Sequence, residues 1–196
     1  MKLTTTLMSA LLIAGLAQAQ VIYTPVHVVI PNNGNYVLDM NQDGTADFTI
    51  RSSVGQVWCQ RGDGAYWSLA VIPSKAGAIV VGESSEEYAD ALPVGWKIDA
   101  GETWGFETAE LEYYAEGYCG RFIAGNWFNR PMRFLGLQFQ ASDGTHYGWA
   151  ELYDIAYFDD EGNPQASTIV TGFAYEATPG KAITTGGQKG AGNEAQ

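Results

Sequence analysis

The chain has 196 residues, 24 of them glycine, with 46% hydrophobic and 16% charged residues. That length fits one domain, at about 150 residues per domain, and the apolar share excludes wholesale disorder. The formal charge is −12, from 22 acidic and 10 basic residues. Such a charge opposes binding to phosphate backbones and anionic membranes, so nucleic-acid partners are excluded.

The first segment is a leader. Lys2 precedes an apolar stretch over residues 7–16, and Ala17, Gln18 and Ala19 form a small-x-small cleavage pattern. Cleavage after Ala19 leaves Gln20 first. The apolar stretch is too short to cross roughly 30 Å of hydrocarbon as a helix. The expected organisation is a signal peptide over 1–19, a single β-sandwich domain over 20–183 and a flexible tail over 184–196, which lacks large apolar residues. The protein is expected to be secreted and extracellular, with no membrane span.

After Gln20 the chain reads as short β-rich runs separated by turns. The stretch 21–30 is β-branched, and Pro25 marks it as an edge strand or a break. It ends at the turn Pro31-Asn32-Asn33-Gly34. Further runs fall at 36–38, 48–50, 66–72, 78–81, 104–106 and 111–114. In 133–140, Leu135, Leu137 and Phe139 share one face, while Phe134, Gly136 and Gln138 share the other. A turn around Asp143-Gly144 then leads to Tyr147, Trp149, Glu151 and Tyr153 on one face of the next run, a hairpin signature. A last run covers 168–175. The best helical candidate is 84–91, which opens on serines and stops before Pro93. The fold class predicted is all-β, an antiparallel, jelly-roll-like β-sandwich with at most one or two short helical turns.

The sharpest chemical signal is the acidic loop 39–47. Asp39, Asn41, Asp43 and Asp47 stand at positions 1, 3, 5 and 9 of a calcium-type loop, with Gly44 at position 6 and the Thr45 carbonyl at position 7. Calcium takes six to eight oxygens, and this set offers about five. Position 12 is Ile50, where an EF-hand has a bidentate Glu, so the expected Ca2+ site is weak. A metal-free Asp/Asn/Gly-rich hairpin turn is the alternative.

Two cysteines in an exported chain, Cys59 and Cys119, predict one disulfide, with two separate buried thiols as the alternative. Other constellations are weaker. Glu110, Glu112 and Glu116 flank Tyr113 and Tyr114. On a regular strand Glu110 and Glu112 share a face, as paired glycosidase carboxylates do, or they belong to a solvated acidic face. His146 stands near Asp143 and Glu151, as an acid/base pair or as a structural histidine. The tryptophans Trp58, Trp67, Trp96, Trp104, Trp127 and Trp149 offer sugar-stacking rings or core packing. No catalytic elbow, phosphate loop or dinucleotide fingerprint is present, and no catalytic residue is assigned.

Three stretches resemble a family. Residues 134–139 with 144–152, then 171–183, and the loop with its following strand at 39–50 resemble exported bacterial proteins of the PEP-CTERM type. The resemblance implies a secreted bacterial β-domain and carries over no catalytic residue. The chain departs from that pattern by lacking the Pro-Glu-Pro tripeptide, a terminal apolar helix and a basic cluster, which favours release over anchoring. Two functions stand open. The first is a non-enzymatic extracellular binding or matrix protein, calcium-stabilised and contacting polysaccharide. The second is a secreted glycoside hydrolase using paired carboxylates from 107–116 or Glu151.

Overall fold

A computed structural model describes residues 20–59, 62–83, 88–105, 108–118, 120–128, 130–158 and 164–187. Every regular element among them is a strand. In chain order these are β1 (Val21–Ile30), β2 (Asn35–Leu38), β3 (Phe48–Cys59), β4 (Gly62–Pro73), β5 (Ile79–Glu83), β6 (Tyr88–Ala89) and β7 (Lys97–Ile98). They continue with β8 (Trp104–Gly105), β9 (Ala109–Gly117), β10 (Gly120–Ala124), β11 (Met132–Ala141), β12 (Gly144–Phe158), β13 (Pro164–Glu176) and β14 (Ile183–Thr184). No helix of the described residues is long and apolar enough to cross a membrane.

The expected all-β class is met. Twelve strands join one hydrogen-bonded sheet, in the order β1-β13-β12-β11-β5-β6-β9-β4-β3-β2, with β8 on β5 and β10 on β9. The pairing is mostly antiparallel, and β6 meets β9 in parallel at Tyr88 and Glu110. The sheet rolls until β13 touches β4 and β9 across the interior, and its two end strands, β1 and β2, contact each other without pairing. The result is a mixed sheet nearly closed into a barrel. The helical turn predicted over 84–91 is replaced at Tyr88–Ala89 by β6, which bridges β5 to β9. Residues 84–87 lie outside the described residues.

Side-chain alternation explains most of the closure. Trp67, Leu69 and Val71 of β4 face Leu135, Leu137 and Phe139 of β11, and all six belong to one buried cluster with Ala150, Leu152, Val170 and Phe173. Pro25 behaves as its chemistry requires. It sits on the edge strand β1, where the register against β13 breaks between Pro25 and Val28.

The opposite face of β11, β12 and β13 is apolar as well. Phe134, Tyr147, Trp149 and Ala174 form a second buried cluster, closed by Ile98 and Ile183 of the small β7–β14 sheet. Phe134 and Trp149 meet edge to face at 5.1 Å. Thr185, 1% exposed, ties the cover down. Its hydroxyl donates to the Pro93 carbonyl at 2.7 Å and accepts from Trp96 N–H at 2.9 Å. The chain therefore stays packed beyond the domain end expected at 183, and residues 188–196 lie outside the described residues.

Gly148 marks where the layers come closest. A Cβ there would stand 2.5 Å from Met40 Cε and 2.6 Å from the Ala174 carbonyl oxygen. The thioether end can move, but the strand backbone cannot. Gly148→Ala is expected to cost about 1–3 kcal/mol of stability, by the overpacking that an added core methyl causes. Urea unfolding of the purified domain measures it, and an unchanged midpoint would contradict this packing.

Candidate functional site

The acidic loop leaves β2 and returns to β3. Its first three side chains converge. Asp39 Oδ1 and Oδ2 accept from the backbone amides of Asp43 and Gly44 at 3.2 and 2.8 Å. Asn41 Oδ1 accepts from Asp43 N–H at 3.3 Å, and its amide donates to Asp43 Oδ2 at 3.1 Å. Asp43 Oδ1 takes the Thr45 amide at 2.8 Å. The Asn41 amide first, then the Thr45 N–H, holds the Asp43 carboxyl below the usual carboxylate range. Gly44 supplies the positive φ, +87°, that the turn needs.

Asp47 is not brought into that cluster. It is fully buried, and its Oδ2 accepts from Met40 N–H at 2.8 Å. Its Oδ1 lies 2.6 Å from the Lys75 ammonium, a charge contact that anchors the β4–β5 turn. Position 9 of the loop is thus committed to structure. Among the described residues no group of three or more His, Cys, Asp or Glu side chains gathers as a metal cage.

The carboxylates around Tyr113 separate. A bulge in the β4–β9 ladder sets Glu110 opposite Ala70 and Glu112 opposite Leu69. Successive residues of β4 face opposite ways, so the two glutamates do not share a face as a regular strand predicts. Glu112 is 1% exposed and points into the barrel beside Asp154, whose Oδ1 accepts from Thr168 Oγ1 at 2.6 Å. Burial first, then the neighbouring Asp154 charge, pushes the Glu112 carboxyl up to about 9. Glu112 is therefore the protonated member and donates to Asp154, while its Oε1 lacks a hydrogen-bond partner among the described residues. Glu151 is also buried and accepts from Thr171 Oγ1.

His146 is structural in its setting. It is 2% exposed, with Nδ1 at 2.8 Å from the Glu176 carbonyl and Nε2 at 2.9 Å from Asp143 Oδ1. Of the expected ring platforms, Trp67, Trp127 and Trp149 are buried. The Cys59–Cys119 pairing cannot be placed on the described structure, because Cys119 and the Cys59 side chain lie outside the described residues.

The open surface with the most chemistry lies elsewhere, at the tips of β3–β4 and β9–β10. There the strands overrun the barrel and leave a cleft of about 520 Å³ lined by Gln56, Asp63, Ala65, Glu116 and Tyr118. The register sets Trp58 opposite Asp63, and Gln56 and Glu116 opposite Ala65. All five sit on the face that carries Trp67 into the core. Trp58 is 82% and Tyr118 74% exposed. Tyr118 is seated on Gly62, where a Cβ would meet its ring at 2.6 Å. Arg121 Nη2 donates to both Glu116 oxygens, at 3.3 and 3.1 Å. Its guanidinium carbon stands 5.8 Å from the Tyr114 ring centre. The opposite face of the same strands carries Tyr66 stacked on Tyr113, with Phe122 edge-on to Tyr113. Sequence reasoning singled out Trp58 and Glu116 separately. Tyr118 became legible only in the structure, although its place between Gly117 and Gly120 was a usable hint.

Compared with protein-family models, curated proteins and solved structures, the chain matches none.

The Glu112–Asp154 pair has a pH signature. In the unfolded chain Glu112 ionises near 4.5, whereas the folded group is raised to about 9. Between those values the folded state holds the extra proton, so this contribution is full below the lower value and is lost as pH rises through the upper one. Urea unfolding from about pH 5 to about pH 9 should show falling stability, and Glu112→Gln, which keeps a donor toward Asp154, should flatten the slope. A wild-type slope of opposite sign over that range, unchanged in the variant, would refute the assignment.

Proposed function

We propose that this is an extracellular, non-enzymatic glycan-binding protein whose site is the cleft at the β3–β4 and β9–β10 tips. The observation that carries the reading is the pair of highly exposed rings, Tyr118 lining a cleft with Asp63, Glu116 and Gln56, and Trp58 opposite Asp63 in the β3–β4 ladder. Rings offer flat apolar area to the C–H faces of a sugar. Carboxylate and amide oxygens accept hydrogen bonds from hydroxyls, and charged acceptors make the stronger ones. The net charge of −12 disfavours polyanionic polymers, so a neutral, hydroxyl-rich polysaccharide fits better.

The hydrolase alternative would draw on carboxylates from 107–116, of which Glu116 lies at the cleft beside Asp63, or on Glu151, which is buried. Glu116 has both oxygens engaged by Arg121, which suits an acceptor and not a proton donor to a leaving group. The Glu112–Asp154 pair is walled inside the barrel. Binding is therefore the better reading. Affinity electrophoresis or calorimetry with soluble neutral glucans and mannans tests it. Trp58→Ala and Tyr118→Ala are each expected to weaken binding by roughly tenfold or more, as hot-spot aromatics do, with the melting temperature unchanged. Sugar release from the same polymers, abolished by Asp63→Asn, would favour the enzyme.

The remaining expectations join this reading. Export with cleavage after Ala19, a Cys59–Cys119 disulfide and kinship with PEP-CTERM-type exported proteins suit a protein working outside the cell. The jelly-roll-like sandwich remains the finer form we infer for the rolled sheet. We also propose a weak calcium site on Asp39, Asn41, Asp43 and the Thr45 carbonyl, with Asp47 as a structural neighbour tied to Lys75. Support comes from the convergence of the first three side chains on one turn. About 5–10 mM calcium is expected to raise the melting temperature against EDTA, since weak extracellular sites bind near 10⁻⁴–10⁻³ M. Asp43→Ala should remove the rise and Asp143→Ala should not. A melting temperature indifferent to calcium would end the proposal.

A further inference from the structure

Glu176 closes β13 with its side chain fully buried. Its Oε1 accepts two backbone amides, from Gln20 and Thr178, each at 2.9 Å. Its Oε2 has no hydrogen-bond partner among the described residues. The Gln20 carbonyl in turn accepts from Ala177 N–H at 2.9 Å, and Val21 pairs with Glu176 in the β1–β13 ladder. Behind it the Glu176 carbonyl faces His146 Nδ1 at 2.8 Å.

A buried carboxylate with one oxygen unmet is costly, and two neutral amides supply no charge to offset it. Gln20 is also the residue that cleavage after Ala19 would make first. Hydrolysis of that peptide bond adds one water, leaves the carboxylate on Ala19 and frees the Gln20 nitrogen as an α-ammonium. One N–H then becomes three, with a unit positive charge, at a nitrogen that already stands 2.9 Å from Oε1. An ammonium there can also turn an N–H toward the unmet Oε2.

We propose that Glu176 is the receptor for the α-ammonium created by leader cleavage, so that processing completes an ion pair on a buried carboxylate and fastens the edge strand β1 to β13. The unprocessed chain keeps the neutral amide and the uncompensated carboxylate. The inference rests on the leader reading and is independent of the glycan cleft.

The docked terminus has a chemical mark of its own. A free N-terminal glutamine cyclises when its amine attacks the side-chain amide carbon, closing a lactam and expelling ammonia. An ammonium held by Glu176 has no lone pair for that attack. The full-length chain is therefore exported with its leader, and the product is measured by intact mass. The expected species starts at Gln20 and retains its ammonia on incubation, whereas the urea-unfolded protein loses it. Adding one alanine before Gln20 restores the amide and should lower the melting temperature by about 6 °C or more, the effect of breaking an ion pair on a buried carboxylate in a chain of this size. Glu176→Gln should lower it in the mature chain and cost much less in the extended one. If Glu176→Gln does not fold, the extension and the cyclisation rate decide alone. A product starting elsewhere, an extended chain melting with the mature one, or equal cyclisation in folded and unfolded protein would each overturn the proposal. Loss of glycan binding would leave it standing.

Discussion

The central constraint of this fold is that strands β11, β12 and β13 are apolar on both faces. Leu135, Leu137 and Phe139 point one way, and Phe134, Tyr147 and Trp149 point the other, all of them buried. A sheet with one greasy side needs one cover, whereas this one needs two. Rolling the sheet onto β4 and β9 supplies the first. The small β7–β14 pair supplies the second, which is why Thr185 is buried and doubly bonded so near the chain's end. Large rings gain most from such covering, at about 1.5–3 kcal/mol for each fully buried side chain. The cover is thereby a part of the core.

A rolled sheet also decides where charge can go. Inside the barrel, among the described residues, Glu112 and Asp154 bond to each other and Asp154 to Thr168, so the pair shares a proton, with Glu112 held up to about 9. At the barrel's rim, Asp47 has the Lys75 ammonium at 2.6 Å. Two acidic groups of the same chain are thus made tolerable in different ways, one by protonation and one by an ion pair. Each choice follows from whether a flexible cation can reach the site. Lys75 sits on a turn with access to solvent, and no salt-bridge partner meets Glu112 among the described residues. This also separates the buried pair from a catalytic dyad. A glycosidase needs its two carboxyls on an open groove flanking the scissile bond.

Much of the fold was legible because local chemistry and tertiary structure agree. The alternation in 133–140, the turn over 141–145 and the alternation from Tyr147 specify a hairpin, and β11 and β12 pair without a break from Met132–Tyr153 to Ala141–Gly144. Pro25 announced an edge. What stayed hidden depended on partners distant in sequence. The bulge opposite Leu69 and Ala70 reversed the relation of Glu110 to Glu112, and no feature of 109–117 encodes it. Asp47 matched a calcium-loop position by spacing, yet its carboxylate is claimed by Lys75, 28 residues on, and by Met40 N–H. The short helical turn at 84–91 was read from serines and a following proline. The pairing of Tyr88–Ala89 with β5 and β9 overrode those local preferences.

The cleft follows from the same mismatch between strand length and barrel. β3 and β4 run for 12 residues each and pair along their whole length, but their core-facing positions end near Val54 and Trp67. Beyond that point the sheet is a single layer with two wet faces, an arrangement of marginal stability. Two features hold it. Gly64 lets the backbones close in, since a Cβ there would stand 2.4 Å from the Glu116 carbonyl oxygen. On the outer face, Tyr66 stacks on Tyr113, and Phe122 meets Tyr113 edge to face. Those rings are accounted for by one another. Trp58 and Tyr118, on the other side and largely in water, stabilise nothing comparable in the free protein. The proposal of a ligand rests on those two exposed rings and the acceptors beside them, not on the outer-face rings. That asymmetry between two aromatic faces of the same four strands is what favours the inner one in the proposed glycan-binding reading.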